Sequence, residues 1–381
     1  SKSCLLNSLY ISLLNDTINE KLYPARLADN KYSIHSSKSG FSITVNGYTD
    51  KIINVLSTIF DAIRNFKCDS ERFKILVDNE KKNLKGTETW NTQKQIYYHL
   101  TDLHVRNKMH YKNSLNFLES ISEIDLVEYE RELYNQYYYI GLIQGNCSIN
   151  KFYDFYQLFK DLLDYKNKDN NFSIDNMPEY LSDFLSGDII DQYEYNYEPF
   201  NCKEVDTNSS TLTYYYFGDN HLQDYKNQLL AYILQLMLSD SFFDKLRTKQ
   251  QLGYCVLCKS YNMSFFDKDK SGLVFTIQSS EYDCQYLQQQ INKYIENIHS
   301  ELNQDSFTNI VKVGTTSLSE PFKSLEEHFE FNLDEIIGKT FDFDSKKKKV
   351  ELLKQLTLND LVQYVEKNII NNNKKIIINV N

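Results

Sequence analysis

A chain of 381 residues is long enough for about two domains, each able to bury its own core. Its 42 Lys and Arg against 52 Asp and Glu leave a net charge of −10, which argues against nucleic acid or an anionic membrane surface as the main partner. No apolar run approaches the ~20 residues of a membrane span and no signal-peptide pattern opens the chain, so no membrane role is expected.

In residues 5–22, Leu6, Leu9, Leu13 and Leu14 recur at helical spacing, and Tyr23-Pro24 predicts a break. Residues 32–35 and 41–45 read as short strands around the turn-forming run Ser36-Ser37-Lys38-Ser39-Gly40. Asp50 is placed to cap a helix with the stripe Ile52, Leu56, Ile59, Phe60 and Ile63, and a further helix follows Ser70 and ends near Gly86. Residues 93–105 read as a helix, residues 122–134 as a helix capped by Ser122, and residues 137–143, rich in Tyr and Ile, as a strand. Phe152, Phe155, Leu158, Phe159 and Leu162 form another helical stripe. The polar run Lys166-Asn167-Lys168-Asp169-Asn170-Asn171 then reads as a linker.

Beyond it, residues 190–197 and 212–217 read as strands, and residues 222–238 as a long helix with Leu229, Leu230, Ile233, Leu234 and Met237 on one side. The stretch from Phe243 to Tyr254 reads as a helix end, a glycine turn and the first residue of a strand over 254–259. Residues 273–278 form a second strand, and the polar segment 261–271 between the two reads as a flexible loop. Helices over 282–302, over 307–337 with an interruption at Pro321, and over 358–369 precede a strand over 376–380. Thr357 and Asp360 open the last helix with capping-box spacing.

The two halves repeat one order of elements. Asp125-Leu126-Val127-Glu128-Tyr129 before the first half's last strand echoes Asp360-Leu361-Val362-Gln363-Tyr364 before the second's. The expected fold is α+β: two homologous domains, each a mainly antiparallel sheet with helices packed on one face. The expected division is residues 1–168, a linker over 169–174, and residues 175–381. On this reading the chain is a fragment, the first copy lacking its opening strands and the second cut at its end.

Candidate chemistry is sparse. The seven cysteines, Cys4, Cys68, Cys147, Cys202, Cys255, Cys258 and Cys284, are odd in number and mostly scattered, which points to a reducing, cytoplasmic setting rather than a disulfide framework. Cys255 and Cys258 form a C-x-x-C, yet in a strand such a pair faces opposite sides. His99, His104 and His110 diverge around a helix, and Ser324-Leu325-Glu326-Glu327-His328 has serine where a zinc helix of the H-x-x-E-H type needs its first histidine. That segment reads as a solvated helix face, and Lys346 to Lys349 as a solvated loop. At the junction after the long helix, Arg247 and Tyr254 could grip a bound backbone, the bland alternative being an arginine paired to a carboxylate and a tyrosine half buried at a sheet edge.

The run Leu246-Arg247-Thr248-Lys249-Gln250-Gln251-Leu252-Gly253-Tyr254, followed by Gly272-Leu273-Val274-Phe275-Thr276-Ile277-Gln278-Ser279, resembles the C-terminal half of the insulinase group of zinc metallopeptidases. Gly47-Tyr48-Thr49-Asp50-Lys51, Glu71-Arg72-Phe73, Gly145-Asn146 and Glu320-Pro321 sit where that family has similar residues, in the same order. The resemblance implies a clamshell endopeptidase of four α+β domains. Its N-terminal half binds the zinc, and this half, with no metal and no catalytic residue of its own, walls the other side of a chamber for peptide substrates. It implies substrate contacts at Arg247, Tyr254 and Phe243: hydrogen bonds to peptide carbonyls from the first two, oxyanion stabilisation by the tyrosine, and a side-chain pocket lined by the phenylalanine. The competing expectation is a relative without catalysis that serves as a scaffold or assembly subunit.

Overall fold

Helical stripes and blocks of alternating strand residues build α+β units in the computed structural model, which describes residues 2–37, 40–104, 109–134, 139–166, 193–200, 208–221, 224–261, 263–265, 268–337, 340–372 and 374–381. In chain order the elements are α1 (Lys2–Leu27), β1 (Lys31–Ser37), β2 (Gly40–Asn46), α2 (Ile52–Arg64), α3 (Ser70–Lys85), α4 (Thr92–His104), α5 (Tyr111–Ser120), α6 (Glu123–Leu133) and α7 (Ile149–Lys166). There follow β3 (Tyr193–Tyr197), β4 (Ser209–His221), α8 (Tyr225–Phe243), β5 (Cys255–Ser260), β6 (Met263–Phe265), β7 (Lys268–Ser279) and α9 (Cys284–Glu296). The chain continues through α10 (Gln304–Ser319), α11 (Leu325–Ile337), α12 (Ser345–Gln355), α13 (Leu358–Val365) and β8 (Lys375–Val380). Turns of π-helix, Asp244–Lys249 and Glu366–Ile370, extend α8 and α13, and a 3-10 turn, Ile298–Glu301, follows α9. The chain divides into Ser1–Thr87 with Asn107–Leu181, and Glu88–Arg106 with Ser182–Asn381.

In the first unit α1 buries Leu9, Tyr10, Leu13, Leu14 and Ile18 against the β1–β2 hairpin and the Ile59, Phe60 and Ile63 stripe of α2. The helix does not break at Tyr23-Pro24 but runs to Leu27, and just beyond it the Ala28 N–H donates to the carbonyls of Pro24 and Ala25. The hairpin pairs Lys31 with Asn46 through Ser37 with Gly40, so its connection is residues 38–39, which lie outside the described residues, rather than the five expected. The Asn7 side chain explains that register by donating to the carbonyls of both Ser37 and Gly40. Asp50 does not cap α2; Lys51 occupies the N-cap with no side-chain bond, whereas Asp69 caps α3 by accepting from the Arg72 N–H. Residues 139–143 form no strand, although a strand was expected over 137–143, and 137 and 138 lie outside the described residues. Ile140 and Ile143 are exposed there, so the β-prone residues gain no packed face. Of the expected linker run, Lys166 ends α7 and pairs with Glu130, and the rest lies outside the described residues.

In the second unit the strand order is β3-β8-β4-β7-β5, with β6 on β7; the pairs are antiparallel except β3 with β8. One face packs Tyr215, Val256, Leu273, Phe275 and Ile277 against α8, α9 and α13. The other face, carrying Leu212, Tyr214, Val274, Ile376 and Ile378, is covered by Ile96 and Leu100 of α4. Helices therefore lie on both faces, not one, and α4, which local order assigned to the first repeat, folds with the second. Segment 261–271 is not a loop: Met263–Phe265 pairs with Lys268 to Lys270 and lengthens the hairpin. Lys346 to Lys349 lie in the first turns of α12 rather than in a loop. Each is engaged: Lys346 over Phe322, Lys347 with Asp344, Lys348 with Asp342 and Lys349 over Tyr225.

The repeated pentapeptides occupy equivalent helices. Ser122 with Asp125 opens α6 and Thr357 with Asp360 opens α13, each as a reciprocal capping box, and Leu126 and Leu361 are both fully buried.

Candidate functional site

At the end of α8, Phe242 is buried against Phe275 and Tyr294 while Phe243 is 39% exposed. The helix then widens into the π turn, which inserts a residue and changes the direction of the side chains that follow. Leu246 points into the core, and Lys245 pairs with Glu301 on the 3-10 turn. Burial opposes ionisation of Glu301, but hydrogen bonds from Lys245, Ser300 and Ser241 outweigh it and hold its pKa below the usual glutamate value. Lys249 pairs with Asp244 at 2.6 Å.

Arg247 is treated differently. Its guanidinium carbon lies 4.9 Å from the ring centroid of Phe243 and 5.5 Å from that of Tyr254. The three residues expected to contact substrate are thereby brought together, with the cation held over both rings. Among the described residues no carboxylate pairs with Arg247. The bland alternative, an arginine satisfied by a carboxylate beside a half-buried tyrosine, fails on both counts, since Tyr254 is 83% exposed.

The turn that delivers Tyr254 is sharper than a glycine turn. Gln251, not Gly253, has the left-handed backbone, with φ of 54°. Gly253 serves a close approach instead: a Cβ there would lie 2.0 Å from the Gln278 carbonyl oxygen on β7. Tyr254 sits just before β5, which begins at Cys255. The outward side of β5 is partly closed by α8, where the Ser239 hydroxyl donates to the Cys258 carbonyl at 2.7 Å. Cys258 faces the helical core, whereas the Cys255 sulfur accepts from Gln93 of α4 at 2.8 Å, so the C-x-x-C points to opposite faces as its spacing requires.

Among the described residues the histidines do not converge on a metal-binding group. His99 is buried and stacks on Tyr197 at 3.7 Å, His110 caps α5, and the His104 side chain lies outside the described residues. His328 stacks on Phe322 at 4.5 Å, and Glu327 accepts from the Lys323 N–H at 2.8 Å. No group of three or more His, Cys, Asp or Glu among the described residues could hold a metal ion. These residues do not fit a zinc site. Among the described residues no helix is long and apolar enough to cross a membrane.

Two family models match: the middle or third domain of peptidase M16 over residues 1–117, and the C-terminal lobe domain 4 of PqqF-like PQQ synthase over residues 233–332. Two stretches of the chain are thus similar to domains of M16-type peptidases. The chain is similar to a nardilysin-like protein of Arabidopsis thaliana, 26% identical over 95% of the chain and 34% of the relative. Another is the insulin-degrading enzyme of Drosophila melanogaster, 23% identical over 96% of the chain and 36% of the relative. The fold matches that of pitrilysin with a TM-score of 0.77 at 16% identity, covering 98% of this chain and 38% of that one. It also matches an M16 inactive domain from Pseudomonas fluorescens with a TM-score of 0.63 at 12% identity, covering 98% and 86%. The chain spans about a third of the length of the curated relatives it matches.

The three site residues were legible only through the motif around Arg247. The π turn and the anchors Lys245 and Glu301 were not, because an i to i+5 hydrogen bond leaves no periodic mark in one turn of sequence and Glu301 lies more than fifty residues downstream.

Proposed function

We propose that this chain is the substrate-binding, non-catalytic C-terminal part of a zinc-dependent metalloendopeptidase, working with an N-terminal half that carries the zinc. The observation that carries the reading is the Phe243–Arg247–Tyr254 cluster, a stacked guanidinium without a carboxylate partner beside an exposed phenol. Such a pair suits the polar backbone of an extended peptide: the fork of Arg247 donates to carbonyl oxygens, and the Tyr254 hydroxyl donates to the oxygen that becomes negative as the peptide bond is attacked. Phe243 offers an apolar wall for a neighbouring side chain. The two units correspond, on this reading, to the third and fourth domains of the parent, in keeping with the two family models. Metal, water activation and bond cleavage belong to the other half, whose residues are outside this chain.

The test is kinetic. In the full-length enzyme, Tyr254→Phe and Arg247→Ala are each expected to lower kcat/KM for a peptide substrate by about tenfold or more, the scale of a lost positioning or transition-state hydrogen bond. Wild-type kinetics in both variants would remove these residues from the site. The likeness to an M16 inactive domain favours a second reading, a family member retained for assembly; a full-length protein without H-x-x-E-H in its N-terminal half would select it.

A further inference from the structure

The cations of the π turn are not equivalent. Lys245 is neutralised by Glu301, and Lys249 by Asp244. Arg247, between them in sequence, has no carboxylate partner among the described residues, although the chain as a whole carries ten excess negative charges. A protein with acidic groups to spare has left this one guanidinium unmatched while matching both neighbours in the same turn.

The surroundings of Arg247 define what can match it. Phe243 and Tyr254 lie over the guanidinium at 4.9 and 5.5 Å, so the approach left to a ligand is toward the N–H donors at its rim. Those donors form a fork, and a fork is satisfied by two acceptor oxygens on one carbon. A peptide carbonyl supplies one such oxygen and no charge, whereas a carboxylate supplies both and a full negative charge. The neighbouring carboxylates cannot serve, since each is already held by its own lysine.

We infer that Arg247 is a carboxylate receptor, and that the peptides this surface prefers are those that present a carboxylate to it: a free C-terminus or an Asp or Glu side chain. The inference rests on the peptide-binding reading given above. It narrows that reading from any extended backbone to chain ends and acidic segments. Tyr254, exposed beside the guanidinium, keeps its hydroxyl for the carbonyl under attack, and Phe243 packs against the residue that bears the carboxylate.

Fluorescence anisotropy with this chain and three labelled peptides of one sequence tests it. The first has a free C-terminal carboxylate and no other acid, the second is its C-terminal amide, and the third is the amide with one internal Glu. The free acid is expected to bind at least tenfold more tightly than the amide at low salt. Arg247→Ala should abolish the difference, and Arg247→Lys, which keeps the charge without the fork, should leave part of it. Arg247→Gln is a second variant should the alanine form prove unstable. If the Glu-containing amide matches the free acid, a side-chain carboxylate suffices; if it matches the plain amide, the receptor reads chain ends. Equal binding of acid and amide, lost together in Arg247→Ala, would overturn the carboxylate inference and leave peptide binding standing. Failure of all three peptides to bind the folded chain would overturn both.

Discussion

After α1 the chain turns at Asp29, with φ of 58°, and enters β1; after α8 it turns at Gln251, with φ of 54°, and enters β5. Each junction is locked by a glycine pressed against a neighbouring residue, Gly47 against Asn30 and Gly253 against Gln278. The two turns share this plan and differ in their cargo. The first junction spends its polar groups on itself: Asn30 is buried, accepts from the Tyr48 N–H and donates to the Ala28 carbonyl. The second carries a π turn that separates buried Leu246 from an outward Arg247 set over two aromatic rings. The shared plan thus carries a candidate site at the second junction alone, through the π turn and three side chains, and on the proposed reading function resides in that addition rather than in the fold.

The comparison is most exposed to failure at the glycines. Gly253→Ala would put a methyl 2.0 Å from a backbone oxygen that cannot move without parting β5 from β7. A loss of about 3 kcal/mol or more, read from the urea midpoint, is expected. Gly47→Ala meets first a side-chain oxygen, that of Asn30 at 2.3 Å, which can yield at the expense of its hydrogen bond. About 1 to 2 kcal/mol is expected there, and equal losses at the two sites would refute the distinction between a backbone and a side-chain lock.

Glu301→Gln comes next, with a loss of about 1 to 2 kcal/mol at pH 7, discounted from the value for a fully buried pair because Lys245 is partly exposed. Since the fold lowers the pKa of Glu301, its contribution is complete above the unfolded value of about 4.3 and fades as pH falls through the lowered folded value. The wild-type chain should therefore keep its advantage over Glu301→Gln above about pH 4.3 and lose it as pH falls below that value, and a gap that does not narrow on acidification would detach Glu301 from the lysine. At the two capping boxes, Ser122→Ala and Thr357→Ala should each cost about 1 kcal/mol in thermal or urea unfolding. The smallest effect is expected at Arg247→Ala, within about 0.5 kcal/mol of wild type, because the side chain holds no structural partner beyond the rings. A large loss of stability there would recast Arg247 as a structural residue.

Much of this was legible in residue patterns. Leu9, Leu13 and Leu14, the stripe of α2, the stripe of α8, the Ser122 cap and the Thr357–Asp360 capping box follow from spacing, since burial of one helical face and satisfaction of its first N–H groups are local demands. What escaped was decided at a distance. The stripe of α4 looks the same whichever sheet receives it, and only tertiary structure sends Ile96 and Leu100 to the second unit. The helix α12 was obscured by four lysines whose charges are absorbed by Asp342, Asp344 and aromatic faces. Segment 261–271 was too polar to read as strand, yet cross-strand pairing extends β7 back to Lys268. At the site, the motif identified which residues meet, but not that Gln251 makes the turn, that Gly253 is an approach, or that Arg247 lacks a partner.

One feature of the second sheet bears on how it is assembled. The strand β8 is made after all the others, yet it lies between β3 and β4, pairing Tyr193 with Ile376 on one side and Leu212 with Ile378 on the other. During synthesis β4, β7 and β5 can pair as soon as they emerge, while β3 must wait for nearly two hundred further residues before it has a neighbour. Closing so large a loop is slow, and until then the edge of β4 is open to other chains. Until Lys375–Val380 has been made, a nascent chain carries β4, β7 and β5, with β6 on β7, as a core whose β4 edge is unsealed.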